Sequence, residues 1–281
     1  MDTKIVRYIL CRMLGVEAAL LLVPVLVAVI YQEKCGIVFL IPIVILCLLF
    51  WVVGRKRPEH GQIYGKEGMV IVALAWILWS LFGAMPFTLS GYIPSYVDAF
   101  FETVSGFTTT GSSIIPDVEV LPHCLLFWRS FTHWIGGMGV LVFLLAVIQM
   151  TGGSNMNLLR AESPGPSVGK LVPKIKYTAQ ILYIIYFGMT IVEIVLLLIS
   201  RMPAFDAITL SFGTAGTGGF GIKGDSLASC SPYIQWIVTI FMILFGVNFN
   251  AFYFLLLRKW KQLFHMEEVW AYFGVIVAAI L

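Results

Sequence analysis

Charge is what this sequence lacks most. Asp, Glu, Lys and Arg make up 12% of its 281 residues, against 59% hydrophobic residues. That is too little charge to cover the surface of a water-soluble domain of this length. Paired cysteines are also missing. Cys11, Cys35, Cys47, Cys124 and Cys230 form no CxxC motif, so neither a zinc site nor a dithiol redox site is indicated. They read as small apolar fillers, with a Cys124–Cys230 bridge on the outer face as the alternative. No cleavable leader is indicated: the apolar run after Arg12 is long, carries Glu17 and has no small-residue cleavage site, so the first span is expected to be retained. Nucleotide motifs fail as well. Residues 216–221 (GTGGFG) match G-x-G-x-x-G formally, but they follow a span and precede a loop, whereas a dinucleotide site needs a strand before and a helix after. The Lys and Ser/Thr of a phosphate loop are absent after Gly221. No cofactor is expected.

What the chain does have is long apolar runs. A bilayer core about 30 Å thick takes roughly 20 apolar residues as helix. Full-length runs lie near 8–30, 37–53, 69–90, 123–148, 177–200 and 233–257, and a seventh, too short to span, starts near Val269. If six spans alternate, 14 of the 18 basic residues share one side: Lys4, Arg7, Arg12, Arg55, Lys56, Arg57, Lys66, Arg160, Lys170, Lys174, Lys176, Arg258, Lys259 and Lys261. The positive-inside rule places that side, and the N-terminus, in the cytoplasm. These clusters flank spans, so they indicate membrane lipid and not nucleic acid as the partner. The tryptophans gather toward span ends, as an aromatic belt would.

Two segments interrupt the up-and-down pattern. They are DAFFETVSGFTTTGSSIIPD (98–117) and DAITLSFGTAGTGGFGIKGD (206–225). Setting Asp98 on Asp206 gives an offset of 108 that also pairs Thr109 with Thr217, Gly111 with Gly219 and Ile114 with Ile222. Further on, an offset of 110 pairs Pro122 with Pro232 and Gly136 with Gly246. The unit of span, re-entrant segment and span therefore occurs twice, in parallel orientation. Each segment predicts a short helix, with Asp98 or Asp206 as its N-cap in preference to an ion ligand. A Gly- and Thr-rich stretch follows. Irregular backbone at membrane depth must be buried in protein or line a watery cavity. Glycine lets successive carbonyls turn toward one axis, where they can replace the hydration shell of a potassium ion. The preceding helix would aim its negative end at that ion. The fold class expected is an all-α membrane protein built of span, pore loop and span, preceded by two extra transmembrane helices. The domains expected are 1–66 (the extra helix pair), 67–150 (first repeat), 151–176 (linker), 177–262 (second repeat) and 263–281 (the start of a third repeat, broken off).

Other residues carry two readings each. Arg129, inside a span, either braces the pore helix through Glu102 or snorkels outward. His133, one turn on, is a proton sensor or, preferably, an interhelical hydrogen-bonding group. Gly136, Gly137 and Gly139 permit close helix packing or form a hinge. Glu193 is an intramembrane acid that is functional, or is paired or faces water near the outer end. The 151–176 loop is a connector or a docking surface for a cytoplasmic partner. A hydrolase using Ser105, Ser112 or Ser113 with His133 would need hydrogen-bond reach between them, and no Gly-x-Ser-x-Gly elbow is present; the protein is not expected to be an enzyme. A secondary cation carrier with sodium or proton coupling is the other alternative, although such carriers favour inverted repeats.

FFETVSGFTTTGSS (100–113), FWRSFTHWIGGMGVLV (127–142) and RAESPGP (160–166) resemble the Trk/Ktr/HKT superfamily of potassium transporters, specifically its TrkH-type subunit. The resemblance covers nearly the whole chain, as the N-terminal helix pair and the first two of four pore repeats. It implies potassium uptake across a bacterial inner (plasma) membrane through one pseudo-fourfold pore per chain. It also implies homodimer assembly and control by a cytoplasmic nucleotide-binding Trk-type regulatory subunit. The family's filter glycine falls on Gly111 and Gly219. Thr109, Thr110, Ser112, Thr217, Gly218 and Phe220 take the neighbouring filter positions. A glycine at 111 goes with potassium in this superfamily, where a serine accompanies sodium permeation in some relatives.

Overall fold

The computed structural model describes residues 3–54, 65–139 and 175–280. Within them every regular element is helical. The first run forms α1 (Thr3–Leu20) and α2 (Leu22–Ile30), one 28-residue span with a break at Leu21. Pro24 accounts for the break, because its ring crowds the carbonyl four residues back and it has no N–H to offer. A turn at residues 31–33, with Gln32 at φ +56°, leads into a short 3-10 helix (Lys34–Phe39) and α3 (Leu40–Val53). α3 returns alongside α1. Gly36 lets the 3-10 helix pack close against α2: a Cβ there would overlap that of Ala28.

The next elements repeat in one order. α4 (Gly65–Leu89) is followed by the short α5 (Tyr96–Phe107), a Gly/Thr segment and α6 (His123–Gly137). α7 (Ile175–Ile199) is followed by α8 (Ala204–Ala215), a second Gly/Thr segment and α9 (Pro232–Gly246). α10 (Phe249–Leu256), α11 (Trp260–Phe264) and α12 (Glu267–Ile280) complete the chain. The first core joins the N-terminal hairpin to α4, α5 and α6 around Phe39, Trp79, Phe107 and Trp128. The second gathers α7, α8 and α9 around Tyr186, Leu210 and Phe241. Outward faces stay apolar, as Leu26, Ile37, Val44, Leu48 and Trp236 show. Such faces suit lipid tails and not water.

Among the described residues four helices are long and apolar enough to cross a bilayer, and a fifth if α9 and α10 count as one. That pair occupies the run expected as a span over 233–257, and it is bent. α9 and α10 meet at 91°, with Val247 extended between them and Asn248 capping α10 through Asn250 N at 3.0 Å. A cap residue inside an apolar run starts a new helix, which hydropathy does not register. The span expected over 123–148 is helical to Gly137, where Gly139 at φ +71° follows; residues 140–174, with all but the last two residues of the expected linker, lie outside the described residues. All five cysteines are free, so the Cys124–Cys230 bridge is absent.

The capping assignment also changes. The N-cap of α5 is Ser95, whose hydroxyl accepts from Asp98 N at 3.4 Å, and the position before α8 is Pro203. Asp98 and Asp206 therefore sit in the first turn. A carboxylate there still complements the positive end of the helix dipole.

Candidate functional site

α5 and α8 are both 12 residues long and start and stop at the same offset of 108. Two residues after each helix stands a threonine in the left-handed region: Thr109 at φ +55° and Thr217 at φ +59°. Thr109 N donates to Gly106 O at 3.0 Å, and Thr217 N donates to Thr214 O at 2.8 Å. Two residues on, Gly111 and Gly219 are left-handed again, at +76° and +73°, while Thr110 and Gly218 between them are not. In an extended strand successive carbonyls point to opposite sides. Alternating hand turns them toward one side instead, with the N–H groups on the other. A threonine at φ > 0 is strained and persists only where its surroundings enforce it.

The two segments meet. A Cβ on Gly111 would overlap the Gly218 carbonyl, and one on Gly218 would crowd Thr109 O. Of the eight predicted positions, Thr109, Gly111 and Gly218 form this contact between the segments. Thr110, Ser112, Thr217 and Gly219 are exposed, and Thr109, Gly111 and Gly218 are half-buried along the contact. The remaining position differs from these. Phe220 is buried, and its carbonyl lies so close to α8 that a Cβ on Gly213 would overlap it. Phe220 anchors the second segment from behind.

Its neighbours come from α6, which lies between α5 and α8. Arg129 is 3% exposed. Its guanidinium carbon is 3.8 Å from the Phe220 ring centroid, its Nε is 2.6 Å from Glu102 Oε1, and its Nη1 donates to Gly221 O at 2.8 Å. Glu102 Oε1 also accepts from Ser113 Oγ at 3.0 Å, and Oε2 accepts from Ile114 N at 2.9 Å. One buried ion pair therefore holds the ends of both segments, and Arg129 braces instead of snorkelling. His133 is fully buried, accepts from Gly218 N at Nε2 (3.1 Å) and stacks on Phe220 at 4.7 Å. Composition could not reveal this contact with the Gly/Thr segment. The signal for it was the four-residue spacing of Arg129 and His133, which puts them on one helix face.

The remaining candidates separate. Gly136 and Gly137 serve packing: a Cβ would overlap Phe107 O at the first and the Tyr186 hydroxyl at the second. Glu193 is fully buried on α7, with no hydrogen bond to either oxygen. The hydrolase pairing fails. Ser113 is bonded to Glu102, Ser105 Oγ is unpartnered, and His133 Nε2 is taken by backbone. No cluster of three or more metal-ligating His, Cys, Asp or Glu occurs among the described residues. The two segments meet side by side at Gly111 and Gly218 after helices of the same length and offset.

At the other end of α6, Glu33 clamps the helix start. It accepts from His123 N at 2.7 Å, His123 Nδ1 at 2.9 Å and Cys124 N at 2.9 Å. Partial burial pushes its pKa up, and these hydrogen bonds outweigh that, leaving it below the usual carboxylate value.

Comparison with known proteins places this arrangement. The TrkH family model, described as a cation transport protein, matches residues 36–276. A Trk system potassium uptake protein TrkH of Salmonella typhimurium is 36% identical over 269 residues, covering 93% of this chain and 55% of that protein. An uncharacterised cation transporter of Methanocaldococcus jannaschii is 33% identical, over the whole of this chain and 57% of its own length. The crystal structure of the potassium transporter TrkH from Vibrio parahaemolyticus superimposes with a TM-score of 0.74 at 30% identity, covering 90% of this chain and 52% of that one. The chain spans about half the length of the relatives it matches, and it belongs to the TrkH family of cation transport proteins.

Proposed function

We propose that this chain contributes two adjacent quarters of a potassium-selective pore, through which the protein takes up potassium across a bacterial inner membrane. The observation that carries this is the pair of segments with left-handed residues at matching positions, meeting side by side at Gly111 and Gly218. Alternating backbone of this kind presents carbonyls of Thr109, Thr110, Gly111, Thr217 and Gly218 on one side, and Thr110, Ser112 and Thr217 add hydroxyls. Partial charges of this kind replace a hydration shell without net charge. α5 and α8 run into the segments with their negative ends leading.

The basic clusters put the N-terminus in the cytoplasm and the Gly/Thr segments toward the outer face. The family relationship supports further assignments. The working protein has four such repeats, pairs with a second copy and is controlled by a cytoplasmic nucleotide-binding regulatory subunit. The relatives of known function are potassium uptake proteins, and the glycine at 111 favours potassium over sodium.

The test is potassium uptake by cells that lack their own uptake systems and express the protein from its native gene. Gly111→Asp and Gly219→Asp place a side chain where φ is +76° or +73°, and at Gly111 also into the neighbouring segment. Both are expected to abolish uptake at normal protein levels. Uptake unchanged in either variant refutes the pore assignment.

A further inference from the structure

The amide of Gly218 has an unusual partner. At the matching position of the first segment, Thr110 N donates to Ser105 O of its own short helix at 2.9 Å. In the second segment the equivalent amide leaves its own repeat and donates to His133 Nε2 on α6. A neutral imidazole that accepts at Nε2 carries its proton on Nδ1, and Nδ1 is buried without a partner. An apolar side chain would fill this fully buried place without leaving a donor unsatisfied. The histidine is therefore explained by what Nε2 accepts and not by packing. The surroundings are cut to fit the ring. A Cβ on Gly216 or on Gly218 would overlap it, and neither glycine is left-handed. Phe220 stacks on one face of the ring.

We infer that His133 is a positioning residue for ion selectivity, holding the Thr217–Gly218 peptide so that the Thr217 carbonyl faces the ion path. The reason is peptide geometry. In a trans peptide the C=O and N–H point in opposite directions, and no cis peptide is present among the described residues. With the Gly218 N–H drawn toward α6, the Thr217 carbonyl points away from α6, to the exposed side of the segment. Without the acceptor, the peptide is free to rotate and offer its N–H to the ion, which repels a cation. The first segment does not need this device, because its own helix takes the equivalent amide. The inference rests on the pore assignment above.

The experiment measures sodium-to-potassium permeability of the protein expressed from its native gene and reconstituted in liposomes. His133→Leu is expected to raise the ratio by about tenfold, the factor set by one ordinary hydrogen bond. His133→Gln, whose side-chain carbonyl can occupy the Nε2 position, is expected to stay within about twofold of the natural protein. Equal ratios for the natural protein and the Leu variant overturn the inference, and so does a Gln variant that is as unselective as Leu at equal protein level. Gly219→Asp is run alongside. If it still conducts, the pore assignment has failed; if it is dead while His133→Leu is fully selective, only the role of His133 has failed. Should the Leu variant not fold, nitrogen NMR of the histidine-labelled natural protein decides. A protonated Nδ1 and bare Nε2 on His133 support the inference, and a protonated Nε2 overturns it.

Discussion

Removing Arg129 removes the guanidinium that joins Glu102, bonded to the end of the first Gly/Thr segment, to the Gly221 carbonyl at the end of the second. Arg129→Met keeps most of the stem volume and deletes the guanidinium. Glu102, whose side chain is fully buried, then keeps Ser113 Oγ and Ile114 N as donors but loses its counter-charge. Truncating one member of a buried ion pair destabilises by about 3–5 kcal/mol, because a charge is left uncompensated. The two surviving hydrogen bonds place Arg129→Met near the lower end, at about 3 kcal/mol. Glu102→Gln strands the guanidinium between the Phe220 ring and the Gly221 carbonyl, with a similar loss. The double variant contains neither stranded charge, so its loss should be about 3 kcal/mol and not about 6, a coupling of about 3 kcal/mol. The assay is denaturant unfolding of the purified protein in detergent for the four members of the cycle, with potassium uptake measured in parallel. Losses that add to within about 0.5 kcal/mol would refute the reasoning, because independent sites behave that way.

Two further outcomes are expected. Acidification should weaken the junction between the N-terminal hairpin and α6, because Glu33 has a folded pKa below its ordinary value of about 4.3; its contribution is fully present above that value and is lost as pH falls through the lower folded one. The melting temperature of Glu33→Gln should therefore fall less than that of the natural protein between pH 5 and pH 3 (roughly the window in which an exposed carboxylate titrates), and equal falls would contradict the assignment. Gly136→Ala should destabilise by about 1–3 kcal/mol, and more than Gly137→Ala, because its Cβ meets the rigid carbonyl of Phe107 while that of Gly137 meets the hydroxyl end of Tyr186; equal melting temperatures for the two would count against this packing.

Much of the site was legible as repetition. The offset of 108 that pairs Thr109 with Thr217 and Gly111 with Gly219 reappears as matching left-handed residues, because glycine and a strained threonine mark backbone that cannot be regular helix. The Glu102–Arg129 pair was legible because an intramembrane charge needs a partner. Three features were not legible, each for a physical reason. The bend after Gly246 depends on Asn248 as a cap, and window hydropathy averages one polar residue away. The helix starts at 96 and 204 were misplaced because Asp serves both as a cap and as a first-turn residue. The bond from Gly218 to His133 joins residues 85 positions apart, and no local pattern encodes which amide a buried imidazole will meet.

The placement of α6 between α5 and α8 has a genetic consequence. Its residues belong to the first repeat by sequence, yet two of them, Arg129 and His133, are fastened to the segment of the second. Support of this kind is directional, as in a head-to-tail assembly, where each unit completes the next and the series is finished only when the ring closes. A lesion in one repeat should then produce its defect one repeat downstream. Suppressors of Arg129 or His133 variants should accordingly map to residues 216–221 and not to the loop nearest in sequence.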